Sequence, residues 1–194
     1  MQALTVGDVA DGISSLALEP RLLRRKWFDG NVTRYSESHF LDLLVDGHSL
    51  LDLAHRSSNM STALNRPWLA QVPDTIKELN GERQAPGLAR RRVSLLVCGQ
   101  CGDLGCGSVT ALLQIGPTTV RWTELAWENG YEDPSPLPDA PSTITFRRSN
   151  YDEQTATSTA RNSASPDSYR AKRPLRRVGD VSSSSTHLER TSTP

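Results

Sequence analysis

Apolar positions along the chain fall in short runs separated by turn residues, a spacing that predicts strands more often than helices. Ile13, Leu16 and Leu18 make a patch that stops at Pro20 and reads as a short strand. Residues 21–28 fit a helical turn or an edge strand equally well. Asp29-Gly30 marks a turn, and residues 32–35 read as the return strand. Residues 40–45 are a clearer strand, closed by Asp46-Gly47. Residues 48–56 read as a short helix with Leu50, Leu51 and Leu53 as its apolar face. His48 and His55 would lie two turns apart on that helix, too far to share one ion without a bend.

The middle of the chain is broken by Pro67, Pro73 and Pro86. Trp68 and Leu69 are expected to anchor a loop. Residues 74–80 predict two helical turns, with Asp74 as N-cap and Asn80-Gly81 as the stop. Arg90, Arg91 and Arg92 form a charged entry to the next strand. Val93, Leu95 and Val97 face one way and Leu96 and Cys98 the other, which suits a central strand. Val109, Ala111, Leu113 and Ile115 alternate with polar residues, which suits a half-covered partner. Val120 and Trp122 share a face of a third strand beyond the turn at 116–118, and residues 124–131 are less regular. Pro134, Pro136, Pro138 and Pro141 mark an extended loop before a last short strand at residues 143–147. Ser149 and Asp152 read as the capping box of a C-terminal helix. From Gln154 onward there is almost nothing to bury, and disorder is the expectation.

These elements predict an α+β fold: a single small domain over residues 13–152, built as an antiparallel meander around a cysteine hairpin with one or two short helices. Residues 1–12 read as a loose lead-in and residues 153–194 as a disordered tail. Composition agrees, since only 36% of residues are apolar and the deficit is concentrated after about Tyr151.

Formal net charge is zero, so there is no global pull toward nucleic acid or an anionic membrane. Local basic stretches at 24–27 and 170–177 read as solvated surface, and nucleic acid is not the expected partner. No run approaches the roughly 18 apolar residues of a bilayer span, and the N-terminus lacks the flanks of a secretory signal. A cytoplasmic location is expected, where thiols stay reduced.

Candidate chemistry is confined to one turn. Cys98, Cys101 and Cys106 are the only three cysteines, and the glycine-rich segment between two predicted strands holds them all. Three readings follow. The sulfurs hold a structural zinc, which needs a fourth ligand at about 2.0–2.3 Å. Asp103 is the nearest carboxylate, and His39, His48 and His55 are the distant candidates. Alternatively Cys98 and Cys101 form the dithiol of a thiol-dependent oxidoreductase, although such pairs usually sit at a helix N-terminus. The bland alternative is three small buried side chains in a tight turn. A fourth thiolate for an iron–sulfur cluster is missing. No catalytic triad, phosphate loop or paired carboxylate stands out, so the sequence leaves open whether the protein is an enzyme.

The segment 97–110, Val-Cys-Gly-Gln-Cys-Gly-Asp-Leu-Gly-Cys-Gly-Ser-Val-Thr, resembles a group of small bacterial proteins common in actinobacteria. So do residues 120–122, 127–131, 146–151 and, toward the N-terminus, 45–53. The resemblance covers roughly residues 37–152 and implies a small α+β domain in a bacterial cytoplasm. It brings no established activity and no catalytic residues. This chain has Gly99 where the resemblance leads one to expect proline, and Thr-Ala-Thr-Ser-Thr-Ala where it implies the C-terminal helix.

Overall fold

The computed structural model describes residues 12–54, 59–138 and 140–163. It opens with a long hairpin. β1 (Leu16–Asp29) and β2 (Val32–Val45) have 14 residues each and pair antiparallel from Leu16↔Val45 to Asp29↔Val32. Their turn is Gly30-Asn31, one residue beyond the expected position. Gly30 takes the positive φ, 59°, that a type II′ turn needs at its first central residue.

The expected break at Pro20 does not occur, and residues 21–28 are strand. Pro20 lies opposite Leu41, whose N–H donates to Leu64 O (2.9 Å) and whose carbonyl accepts the Thr62 hydroxyl (2.6 Å). Both groups of Leu41 therefore point away from β1. The N–H that proline lacks would have pointed to the outer edge of β1, so no ladder bond is lost.

A two-residue turn at Asp46-Gly47, both at positive φ (51° and 80°), leads to β3 (His48–Ser49) on the other side of β2. α1 (Leu50–Leu53) follows as a single turn, with the Ser49 hydroxyl accepting the Leu51 N–H at 3.2 Å. The helix expected over 48–56 is thus shorter. His48 belongs to a strand and is exposed, and His55 lies outside the described residues.

The second sheet begins at β4 (Met60–Ser61). A 3-10 turn at Arg66–Trp68 and α2 (Val72–Leu79) lead to β5 (Arg92–Cys98). A second 3-10 turn at Leu104–Cys106 leads to β6 (Ser108–Ile115) and β7 (Thr119–Glu128). β8 (Ser135–Pro136) and β9 (Thr143–Arg147) then take successive stretches of the outer edge of β7. The order β4-β5-β6-β7 is antiparallel throughout, the meander expected from the sequence. An extra residue in β7 opposite Thr110–Leu112 of β6, where Glu124 takes a positive φ (51°), lets β7 continue through the stretch that looked irregular. Isolated bridges tie Phe40 of β2 to Asn65, beyond β4, and Ser14, ahead of β1, to Phe146 of β9, and one apolar core takes residues from both sheets.

α2 differs from expectation at its start. Its N-cap is Gln71, with no side-chain cap, while Asp74 sits in the first turn and pairs with Arg83 and Lys77. The Arg83 hydrogen bond holds the Asp74 carboxyl below its usual range. The stop at Asn80 and Gly81 (φ 70°) is as read.

The largest correction is α3 (Arg148–Ser163), which runs through the threonine- and serine-rich segment expected to be disordered. Asp152 pairs with Arg148 at 2.7 Å instead of closing a capping box. The helix is held by polar groups. Asn150 accepts the Leu16 N–H (2.8 Å) and donates to the Leu16 carbonyl (3.2 Å). Gln154 accepts the Leu18 N–H (3.3 Å), and Arg161 donates to the Leu18 carbonyl (3.0 Å). Thr155 and Ser158 are buried, their hydroxyls donating to Tyr151 O (3.1 Å) and Thr155 O (2.6 Å) in their own helix. Tyr151 supplies the apolar anchor. Its ring packs against Trp122 and Phe146 at centroid distances of 6.0 and 5.7 Å, and its hydroxyl donates to Leu79 O at 2.9 Å. The basic island at 170–177 lies outside the described residues. Among the described residues no helix is long and apolar enough to cross a membrane.

Candidate metal centre

β5 delivers Cys98 at its last residue, and the chain then turns on glycines. Gly102 (φ 70°) donates its N–H to Cys98 O at 2.8 Å, which closes the first bend. Asp103 Oδ1 accepts the Gly105 N–H at 2.6 Å and so caps the 3-10 turn that carries Cys106. Gly107 (φ 94°) then enters β6 beneath the Trp127 indole, where an added Cβ would fall 1.7 Å from the ring. No other residue type fits that position without moving the tryptophan.

The long hairpin holds this turn from outside. Gly99 donates to Asn59 O at 2.9 Å, and a Cβ on it would stand 2.7 Å from Leu23 Cδ2. Proline would lose that bond and collide with Leu23, which accounts for glycine here. Arg25 of β1 donates to Gly99 O. The stretch at 24–27 read as solvated surface therefore contributes one half-buried arginine to the site, while the Trp27 side chain lies outside the described residues.

The outcome is that all three sulfurs lie within 4.8 Å of one another, with Cys101 and Cys106 at 3.5 Å. Four thiolates placed tetrahedrally at about 2.3 Å from zinc stand about 3.8 Å apart, so these separations suit one shared ion. Cys101 and Cys106 are exposed and Cys98 is half-buried. The bland reading of three buried side chains fails for the exposed pair. Neither Asp103, His39 nor His48 joins the sulfur group; Asp103 is already engaged as a cap, His39 is half-buried on β2, and His55 lies outside the described residues. Among the described residues the ligand group thus numbers three, one short of a closed structural site.

The thiols are not equivalent. Burial pushes Cys98 up, but the amides of Cys101 and Gln100 and the two neighbouring thiols outweigh it and leave Cys98 below the ordinary thiol range. The amides that point at the sulfur are these two, and the Gly102 amide serves the Cys98 carbonyl. Cys106 moves the other way. Its hydrogen bond with Cys101 and the charge of both neighbours push it up to about 11. Two thiolates side by side repel a third, and a cation among them relieves that repulsion.

Two features escaped the sequence reading. Arg92 is buried, not a solvated strand entry; it pairs with Glu128 and donates to Thr110 Oγ1 (2.7 Å) and Glu124 O (3.0 Å). Three consecutive arginines give no hint which is inside until the β5–β6–β7 register is known. The second is a groove of about 400 Å³ beside the cysteine turn, between the turn, α2 and the 3-10 turn at Arg66–Trp68. Trp68, Gln71, Glu78, Cys101 and Leu104 are among its walls. Leu69, expected to anchor that region together with Trp68, is exposed. No known protein family, curated protein or solved structure matches the chain.

Proposed function

We propose that the protein is a small cytosolic binding or accessory domain whose cysteine turn holds a zinc ion. The approach of three sulfurs to within 4.8 Å carries this reading. The ion would tie the end of β5 to the start of β6 and, through Gly99, to the long hairpin. The same proposal takes the chain as a relative of the small actinobacterial-type proteins that its cysteine turn resembles. Metal content of protein purified without chelator, measured beside a thiol count, tests it. One zinc per chain with alkylation-resistant thiols is the expected result, and metal-free protein with freely alkylated thiols overturns it.

A second reading, thiol–disulfide exchange through Cys98 and Cys101, is favoured by the approach of the sulfurs to within 4.8 Å and by the lowered Cys98 thiol. It predicts metal-free protein with a disulfide that glutathione buffers open and close reversibly.

A further inference from the structure

The three sulfurs sit beside a cavity that a purely structural ion does not need. A structural zinc site is closed by four protein ligands, whereas a site with three keeps one position exchangeable. Among the described residues three are present, and Cys101 is at once a member of the sulfur group and a wall of the groove. The groove, about 400 Å³, lies within the usual range of small-molecule sites. Its lining is of two kinds. Trp68, Ala85, Pro86, Val97 and Leu104 offer apolar surface, and the Trp68 ring comes within 3.5 Å of where a Gly102 Cβ would stand, which brings it close to the cysteine turn. Thr75 and Glu78 of α2 and its N-cap Gln71 add polar groups to the lining. Glu78 is largely covered, and Arg83 Nε is 3.8 Å from its carboxylate. Desolvation pushes the Glu78 carboxyl up, with the Arg83 charge opposing. A donor from a ligand would relieve that desolvation.

We infer that the groove binds a low-molecular-weight thiol. Its sulfur completes the coordination of the metal held by Cys98, Cys101 and Cys106, its apolar body lies against Trp68, and its polar end is directed to Gln71 and Glu78. The inference rests on the metal-binding reading above. A thiolate is the donor that turns three sulfurs into the four-sulfur set zinc accepts. A ligand of this shape gains from the metal and from the groove together, so a thiol without the body binds more weakly.

The test is a titration of the full-length protein loaded with Co(II), whose thiolate charge-transfer and ligand-field bands report the ligand set. The probe is 4-aminothiophenol, with ethanethiol as the bodiless control. The expected result is a saturable change in the ligand-field bands, with 4-aminothiophenol binding at least about tenfold more tightly than ethanethiol. Trp68→Ala should remove that advantage. Glu78→Gln, which leaves the aromatic wall in place, should lower affinity for the amino thiol about threefold and leave ethanethiol unchanged. Retained charge-transfer intensity before titration shows that each variant keeps the cysteine turn. Unchanged bands, equal affinity for both thiols, or loss of cobalt to the probe overturns the inference while the metal reading stands. Failure to form thiolate–cobalt bands at all overturns the metal reading itself.

Discussion

β5 carries a polar cluster at each end, and the two are built on opposite terms. At its start, Arg92 is buried with its guanidinium divided among Glu128, Thr110 and the Glu124 carbonyl, partners supplied by β6 and β7. Thr110 in turn donates to Glu128. Every group in that network faces another from a neighbouring strand. At its end, the thiols of Cys98, Cys101 and Cys106 face each other and the amides of their own turn, and two of the three are open to solvent. A polar cluster closed by the fold itself holds strands in register. A cluster left open, in which the neighbouring thiols favour the thiolate of Cys98 and oppose that of Cys106, is arranged for something that arrives from outside.

The contrast can be broken most directly at the closed end. Glu128→Ala leaves a buried guanidinium without its counter-ion and should cost about 3–5 kcal/mol in urea unfolding. The double change Arg92→Met with Glu128→Leu should recover most of that loss. A single variant as stable as the parent would mean the network is not closed as described. Next in size is Gly107→Ala, which forces a methyl into the Trp127 ring at positive φ. It should cost about 1–3 kcal/mol and also abolish metal retention, because the ring and the cysteine turn cannot both keep their places. At the open end, Cys101→Ser should change metal-free stability by no more than about 0.5 kcal/mol, since the side chain is exposed. The same variant should eliminate any stabilisation by added zinc, seen as a melting temperature that no longer rises with the metal.

The smallest effect concerns the order of thiol reactivity in metal-free protein. Exposure alone predicts that Cys106 reacts with iodoacetamide before half-buried Cys98. The ionisation order predicts the reverse. Cys98 is lowered and forms its thiolate first as pH rises, whereas Cys106 does so only as pH approaches about 11. Peptide mapping across a pH series distinguishes the two. Equal rates at every pH would show that the thiols do not influence each other.

What the sequence disclosed follows the same division. The apolar alternations of 93–98 and 109–115, and the short strand at 143–147, became β5, β6 and β9 because buried faces leave a period that a reader can count. The cysteine turn was visible for a different reason, that glycines at fixed offsets and three rare residues are hard to mistake. Elements organised by polar contacts left no such trace. α3 looked like disorder because Asn150, Gln154 and Arg161 bond to strand backbone, and no periodicity in hydrophobicity marks them. Arg92 was indistinguishable from Arg90 and Arg91 until strand register singled it out. Pro20 looked like a stop, since whether a proline breaks a ladder depends on which way its partner's amide points.

That outward face of Pro20 and the side chains of α3 act on one seam. The exposed backbone of β1 is met at Leu16 by Asn150 and at Leu18 by Gln154 and Arg161, and at Pro20 it has no donor to offer. Strand addition by a second molecule needs those same groups, so this stretch of the sheet is closed to self-templating. Deleting α3 would accordingly do more than lower a melting point: it would uncover an adhesive border, and the truncated chain should polymerise before it unfolds.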